Sequence, residues 1–304
     1  MVQPIGIFDS GLGGLTVVRA IRRRLPAESL VYFGDTARVP YGIKSGRTVA
    51  RFAVEDCEFL CRFDPKFIVV ACNTASAAAM PVLKERFRQP MTGVIEPGAR
   101  VAAAASDGRP IGVIATESTI ASGAYRRAIL SHLPSARLVE KACPLLVPLV
   151  EEGRDPHDRL VRAALEEYLA PLAEAKVGSV VLGCTHYPLL AEAMADVLGP
   201  DVVLVDSAEA VAEEVAHRLA GRPSKASGSS DNLLAPSGPA EARFFVSDNP
   251  ERFQAVGRRF LGQTIAAVSL VSPDEFFPAA PTVSARTAAS AQAPSAAAAG
   301  EEMR

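Results

Sequence analysis

The chain has 304 residues, is 49% hydrophobic and 22% charged, and carries a formal net charge of −2. That composition suits a soluble globular protein of one large or two ordinary domains, and it gives no electrostatic footing for direct nucleic-acid binding or for an anionic membrane. No run approaches the ~20 uninterrupted apolar residues of a membrane span, and no leader of basic and then apolar residues opens the sequence. Five cysteines at irregular spacing fit reduced thiols, so a cytoplasmic location is expected.

Apolar runs that end in small or polar residues alternate with amphipathic stretches. The first predicted strand, Ile5–Phe8, leads to a helix at Leu15–Leu25. Gly11, Gly13 and Gly14 between them mimic a phosphate loop but lack the G-x-G-x-x-G spacing. Further strands are expected at Leu30–Phe33, Phe67–Val70, Met91–Ile95, Ile111–Ile114, Arg137–Lys141, Ser179–Leu182 and Val202–Val205. Helices are expected at Gly46–Arg62, Ser76–Phe87, Ala121–His132, Asp158–Ala175, Leu189–Leu198 and Glu209–Leu219. Such alternation predicts an α/β fold with parallel sheets flanked by helices, and such sheets bind ligands at the carboxyl ends of their strands.

The sequence also resembles itself. "PIGIFDS" (4–10) is matched by "PIGVIAT" (110–116), and "FIVVACNTAS" (67–76) by "SVVLGCTHYP" (179–188). A repeat of this length implies two similar α/β domains related by a pseudo-twofold, with a cleft between them. The expected division is 1–97 plus 207–278 for the first domain and 98–206 for the second. A Ser/Gly/Pro-rich stretch, 221–242, reads as a flexible insertion, residues 243–262 as a returning strand and helix, and 279–304 as a disordered tail.

Cys57 and Cys61, spaced i, i+4 beside Phe59 and Leu60, read as packing residues, as does Cys143. Cys72 and Cys184 differ. Each ends an apolar strand and precedes polar residues, Asn73–Thr74 and Thr185–His186, that can cap a following helix. A thiol at a helix N-terminus feels the partial positive charge of unpaired N–H groups, which favours thiolate and titration near neutrality. No C-x-x-C redox motif is present, and a lone Cys184–His186 nucleophile and base would leave Cys72 unexplained. A symmetric thiol pair instead suits two-base racemisation: one sulfur removes a proton from one face of a carbon, and the other delivers one to the opposite face. No metal site is expected.

Six segments carry a family resemblance: "IGIFDSGLGGLTV" (5–17), "YFGDTARVPYG" (32–42), "VVACNTASA" (69–77), "GVIEPGA" (93–99), "CPLLVPLVEEG" (143–153) and "LGCTHYPLL" (182–190). Together they resemble the glutamate racemases of the aspartate/glutamate racemase superfamily, over residues 4–275. The resemblance implies cofactor-independent interconversion of L- and D-glutamate for peptidoglycan, and a homodimer. It makes Cys72 and Cys184 the proton-transferring residues, assisted by Asp9 and His186. Glu151 is a further assisting candidate, with Glu152 beside it. Asp9, Ser10, Tyr41, Gly42, Asn73, Thr74, Thr185 and His186 would contact substrate. On chemistry alone, Asp9 takes the substrate ammonium, tunes Cys72 or caps the following helix, and His186 serves the site or is a satisfied core histidine. The alternatives are a racemase of aspartate or a related amino acid, and an additional DNA-gyrase-inhibiting role that no residue pattern here supports.

Overall fold

The computed structural model describes residues 3–220 and 240–272. A first set of elements runs β1 (Ile5–Asp9), α1 (Leu15–Arg24), β2 (Leu30–Gly34), α2 (Gly46–Cys61), β3 (Phe67–Val70), α3 (Asn73–Arg86) and β4 (Met91–Gly93). A second set runs α4 (Ile95–Ala104), β5 (Ile111–Ala115), α5 (Glu117–Ala121), α6 (Ala124–His132), β6 (Leu138–Ala142), α7 (Leu146–Glu151), α8 (Arg159–Glu174), β7 (Ser179–Gly183), α9 (Ala191–Leu198) and β8 (Val203–Asp206). Then follow α10 (Ser207–Ala220), β9 (Ala242–Val246), α11 (Pro250–Leu261) and β10 (Ser269–Leu270).

The strands form two parallel sheets, ordered β10-β9-β2-β1-β3-β4 and β6-β5-β7-β8. Without β9 and β10, each sheet has the order second, first, third, fourth. The repeat extends to the register: Ile5 lies opposite Phe67, and Ile111 opposite Ser179. The central strands β1, β3, β5 and β7 are buried along their whole length, as expected where helices cover both faces of a parallel sheet. β9 adds to the edge at β2, so residues 243–262 return to the first sheet as a strand and a helix.

Several boundaries differ from expectation. α3 begins at Asn73 because the Cys72 sulfur caps it, accepting the Ala75 N–H at 3.4 Å; neither Asn73 nor Thr74 is the cap. The helix expected at 121–132 is two helices, broken at Gly123, whose φ of 63° favours glycine. The strand expected to reach Ile95 ends at Gly93, and α4 starts there with Pro97 in its first turn, where no N–H partner is needed. α9 starts only at Ala191, after a 3₁₀ turn over Tyr187–Leu190, so Cys184 does not sit at an α-helix N-terminus as expected. Ala242 begins β9 although the flexible insertion was expected to include it; 221–239 and 279–304 lie outside the described residues. Among the described residues no helix is long and apolar enough to cross a membrane.

Candidate active site

The carboxyl ends of β1, β3 and β7 open onto one cavity of 470 Å³. Ser10, Cys72, Asn73 and Thr74 line it from the first set of elements, and Glu151, Cys184, Thr185 and His186 from the second. Tyr41 and Gly42 line it from a strap after β2. Of the residues expected to touch substrate, only Asp9 is absent from the lining. It is fully buried behind Ser10, where its Oδ2 accepts the Gly11 N–H at 2.9 Å and its Oδ1 has no partner.

Around Cys72 the groups are a carboxylate, a hydroxyl and a helix N-terminus. The thiol lies 3.6 Å from the Ser10 hydroxyl. Burial, followed by the Asp9 charge, pushes the Cys72 thiol up to about 12, although the Ala75 N–H and Ser10 pull the other way. The expectation that the helix end brings this thiol near neutrality is therefore overturned: at 5% exposure, desolvation outweighs one N–H and a partial dipole. Burial likewise raises the Asp9 carboxyl above its ordinary range, against the pull of His186 and of the Gly11 and Gly14 N–H groups.

Around Cys184 the groups differ. His186 Nδ1 stands 3.8 Å from the Cys184 sulfur, while Nε2 stands 3.0 Å from Glu151 Oε1. A doubly protonated ring satisfies both neighbours. Burial works against that charge, but the hydrogen bonds and negative charge of Cys184 and Glu151 outweigh it and push the imidazole up to about 10. Glu151 moves in the complementary direction. Burial would raise its carboxyl, but His186 and Arg252, the latter 3.6 Å away, hold it below the ordinary range. Glu152 instead pairs with Arg154. The Phe260 ring packs edge-on against His186, with centroids 5.1 Å apart.

Each loop after a third strand reaches across to the other set. Asn73 Oδ1 accepts the Tyr125 hydroxyl at 2.6 Å, and Thr74 Oγ1 lies 3.0 Å from Thr116 and 3.1 Å from Thr119. In the opposite direction the Thr185 carbonyl accepts the Thr16 hydroxyl at 3.2 Å. A Cβ at Gly13 would fall 2.1 Å from Thr185 Oγ1 and 2.6 Å from His186 Nδ1. The "GLGG" stretch thus accommodates a protein loop at close range, the role a glycine-rich turn plays without any phosphate. A Cβ at Gly42 would likewise fall 2.8 Å from Thr116 Cβ. Asn73 Nδ2, buried without a protein partner, supplies donors at the cavity wall. The Tyr41 hydroxyl faces away, toward Asp35 and Asp56.

Sequence reasoning missed three polar lining residues: Thr116, Glu117 and Arg252. Thr116 was within reach, since "PIGVIAT" sets it opposite Ser10 of "PIGIFDS". Arg252, the one arginine or lysine in the lining among the described residues, arrives from α11. No local pattern marks it.

The sequence model of a family described as Asp/Glu/Hydantoin racemase matches residues 5–215. A glutamate racemase of Geobacter metallireducens is 49% identical over 271 residues, which span 89% of this chain and 97% of that protein. Among solved structures, a glutamate racemase isoform from Bacillus anthracis superposes with a TM-score of 0.80 at 38% identity, over 89% of this chain and 98% of that one. The glutamate racemase of Francisella tularensis, solved in complex with D-glutamate, gives 0.78 at 36% identity, over 89% and 97%.

Proposed function

The chain belongs to the Asp/Glu/Hydantoin racemase family, and we propose that it interconverts L- and D-glutamate by proton transfer through Cys72 and Cys184. The observation that carries this reading is that both thiols, from matching places in a repeated scaffold, line a single cavity. The substrate follows from the glutamate racemases that the chain matches along nearly its whole described length, one of which holds D-glutamate.

One sulfur, as thiolate, takes the α-hydrogen as a proton. The C–H electron pair spreads into the α-carboxylate. The opposite thiol then gives its proton to the other face, and the two sulfurs end with exchanged roles. Cys72, pushed up to about 12, starts as the protonated partner, and Cys184 faces a protonated imidazole. Ser10, Asn73 and Thr185 place hydroxyl and amide donors where negative charge grows on the carboxylate. Glu151 keeps His186 charged and oriented; Asp9 acts on Cys72 from behind the cavity wall.

The same reading places residues 1–97 and 207–278 in one domain and 98–206 in the other, working in the cytoplasm as a homodimer that supplies D-glutamate for peptidoglycan. Light scattering checks the dimer. For the reaction, L-glutamate is incubated with the protein in D₂O. Ellipticity should decay to zero while D-glutamate gains deuterium at its α-carbon. Persistent ellipticity with no deuterium uptake overturns the proposal, and uptake with retained configuration overturns the two opposed sulfurs.

A further inference from the structure

Behind the strap that carries Tyr41 and Gly42 lies a buried ionic cluster that the reaction does not use. Arg38 donates through Nε to Asp35 at 2.5 Å, through Nη2 to Asp56 at 3.0 Å, and through Nη1 to Glu55. Asp35 and Asp56 are both fully buried. Among the described residues, Arg51 also joins the cluster, 3.8 Å from Glu55 and largely exposed. Ser247, just past β9, completes the ring: its hydroxyl donates to Asp35 Oδ1 at 2.9 Å and accepts the Ala37 N–H at 2.9 Å.

Counting protons separates the two aspartates. Asp35 receives three donors: Ser247 on Oδ1, and Arg38 and the Tyr41 hydroxyl on Oδ2. Both of its oxygens therefore act as acceptors. Asp56 Oδ1 accepts from Arg38, and its Oδ2 lies 3.1 Å from the Tyr41 hydroxyl, whose single proton can serve only one of the two carboxylates and has the nearer acceptor in Asp35. Two oxygens at that distance in a buried site need a proton between them. Only Asp56 can carry it. Burial and the charge of Asp35 also raise the Asp56 carboxyl well above its usual range, outweighing Arg38.

We propose that Asp56 is held protonated in the native protein, and that the chain Asp56–Tyr41–Asp35–Ser247 is a latch that positions the cavity-lining segment 39–43. Asp56 is a positioning residue, since it is not in the cavity lining and acts through Tyr41, which is. The latch links α2, the strap and the end of β9, and the strap presses Gly42 against Thr116 across the cavity. Its effect on substrate rests on the reading of the cavity as a glutamate site. Its protonation does not.

The sign follows from the raised carboxyl. The stability it contributes is fully present below the unfolded value of 3.8 and is lost as pH rises through the folded value. Asp56→Asn is neutral at all pH, offers its amide N–H to Tyr41 and its carbonyl to Arg38, and so mimics the protonated acid. Asp35→Asn turns an N–H₂ group toward donors. At pH 8 the D56N protein should melt within about 3 °C of wild type, and the D35N protein at least ~6 °C lower. The Tm difference between D56N and wild type should grow in favour of D56N as pH rises. The Michaelis constant for glutamate should rise in alkali more steeply for wild type than for D56N. Should neither variant fold, infrared spectra of the unlabelled and ¹³C-aspartate-labelled Asp9→Asn, Asp206→Asn protein, which lacks the other two raised aspartates, still decide the point. A protonated-carboxyl band persisting at pH 8 is expected; it is absent if Asp56 is ionised. Equal destabilisation by D56N and D35N, or a pH-independent Tm difference, or no such band, overturns the latch. Failure of wild type to racemise overturns only the proposed function, because melting and infrared need no turnover.

Discussion

At the end of β3, Cys72 caps a regular helix, with a hydroxyl in contact and a buried carboxylate close behind. At the end of β7, Cys184 precedes an irregular turn and faces an imidazole backed by a second carboxylate. Strand order and register are the same in the two halves. Around the sulfurs they differ at four matched polar positions: Asp9 against Ala115, Ser10 against Thr116, Asn73 against Thr185, and Thr74 against His186. Backbone pairing survives a duplication because every strand in the repeat depends on it. The polar groups around the thiols answer only to the reaction and can diverge. A symmetric scaffold therefore holds two sulfurs with unlike electrostatics, one beside an anion and one beside a cation.

The severest way to break this comparison is to remove either sulfur. Cys72→Ala and Cys184→Ala should each lower kcat/KM by about 10³-fold or more, read by circular dichroism from either enantiomer. Near-wild-type turnover by one variant would mean that the halves are not catalytic counterparts. Next in size, His186→Asn should cost about 10²-fold, and Glu151→Gln, which leaves the ring but removes its anionic partner, about tenfold. These two also sharpen the contrast along the pH axis. The His186 imidazole is raised from 6.5 to about 10, so its stabilising charge is fully present below 6.5 and is lost as pH rises through 10. Thermal melts of wild type should therefore decline across that window, and melts of the H186N protein should decline less steeply. On the Cys72 side, the raised Asp9 carboxyl gives up its contribution as pH climbs from 3.8, so Asp9→Asn should alter the acid limb instead. An unchanged alkaline decline in the H186N protein would assign that limb to another group.

Much of this contrast is legible in the sequence, and the reasons are local. Alternating apolar runs and amphipathic stretches expose the strands, since burial on both faces demands continuous Val, Ile and Leu. The repeat exposes the paired cysteines and would have exposed Thr116. Glu151 against Glu152 is not legible, because the choice depends on which side of the short helix α7 meets His186 from β7. Arg252 enters from a segment more than 60 residues beyond Cys184, which periodicity cannot connect. The proton on Asp56 is equally invisible. It follows from the distances among Asp56, Tyr41 and Asp35. The thiol environment misled sequence reasoning in one respect: a helix N-terminus favours thiolate only where its pull exceeds the cost of burial, and at Cys72 burial is the larger effect.

The smallest expected difference tests the scaffold alone. Gly6 and Gly112 occupy matched places, opposite Ile68 in β3 and Val180 in β7, at the ends of their strands remote from the cavity. A Cβ at Gly6 would stand 3.3 Å from Leu60 and from Pro65, so the neighbours need yield only a few tenths of an ångström. A Cβ at Gly112 would stand 2.7 Å from Leu172 Cδ2 and 3.0 Å from Val180 Cγ2, both fully buried, so the Leu172 side chain on α8 must give way within a packed core. Replacing glycine by alanine also narrows the unfolded ensemble, which offsets roughly 0.5 kcal/mol of any clash. Gly6→Ala should then lie within about 0.5 kcal/mol of wild type, and Gly112→Ala should lose about 2 kcal/mol in urea unfolding. Neither should change the Michaelis constant, because neither side chain faces the cavity. Equal losses would show that the two halves pack their covering helices alike, and that their divergence is confined to the groups around the sulfurs.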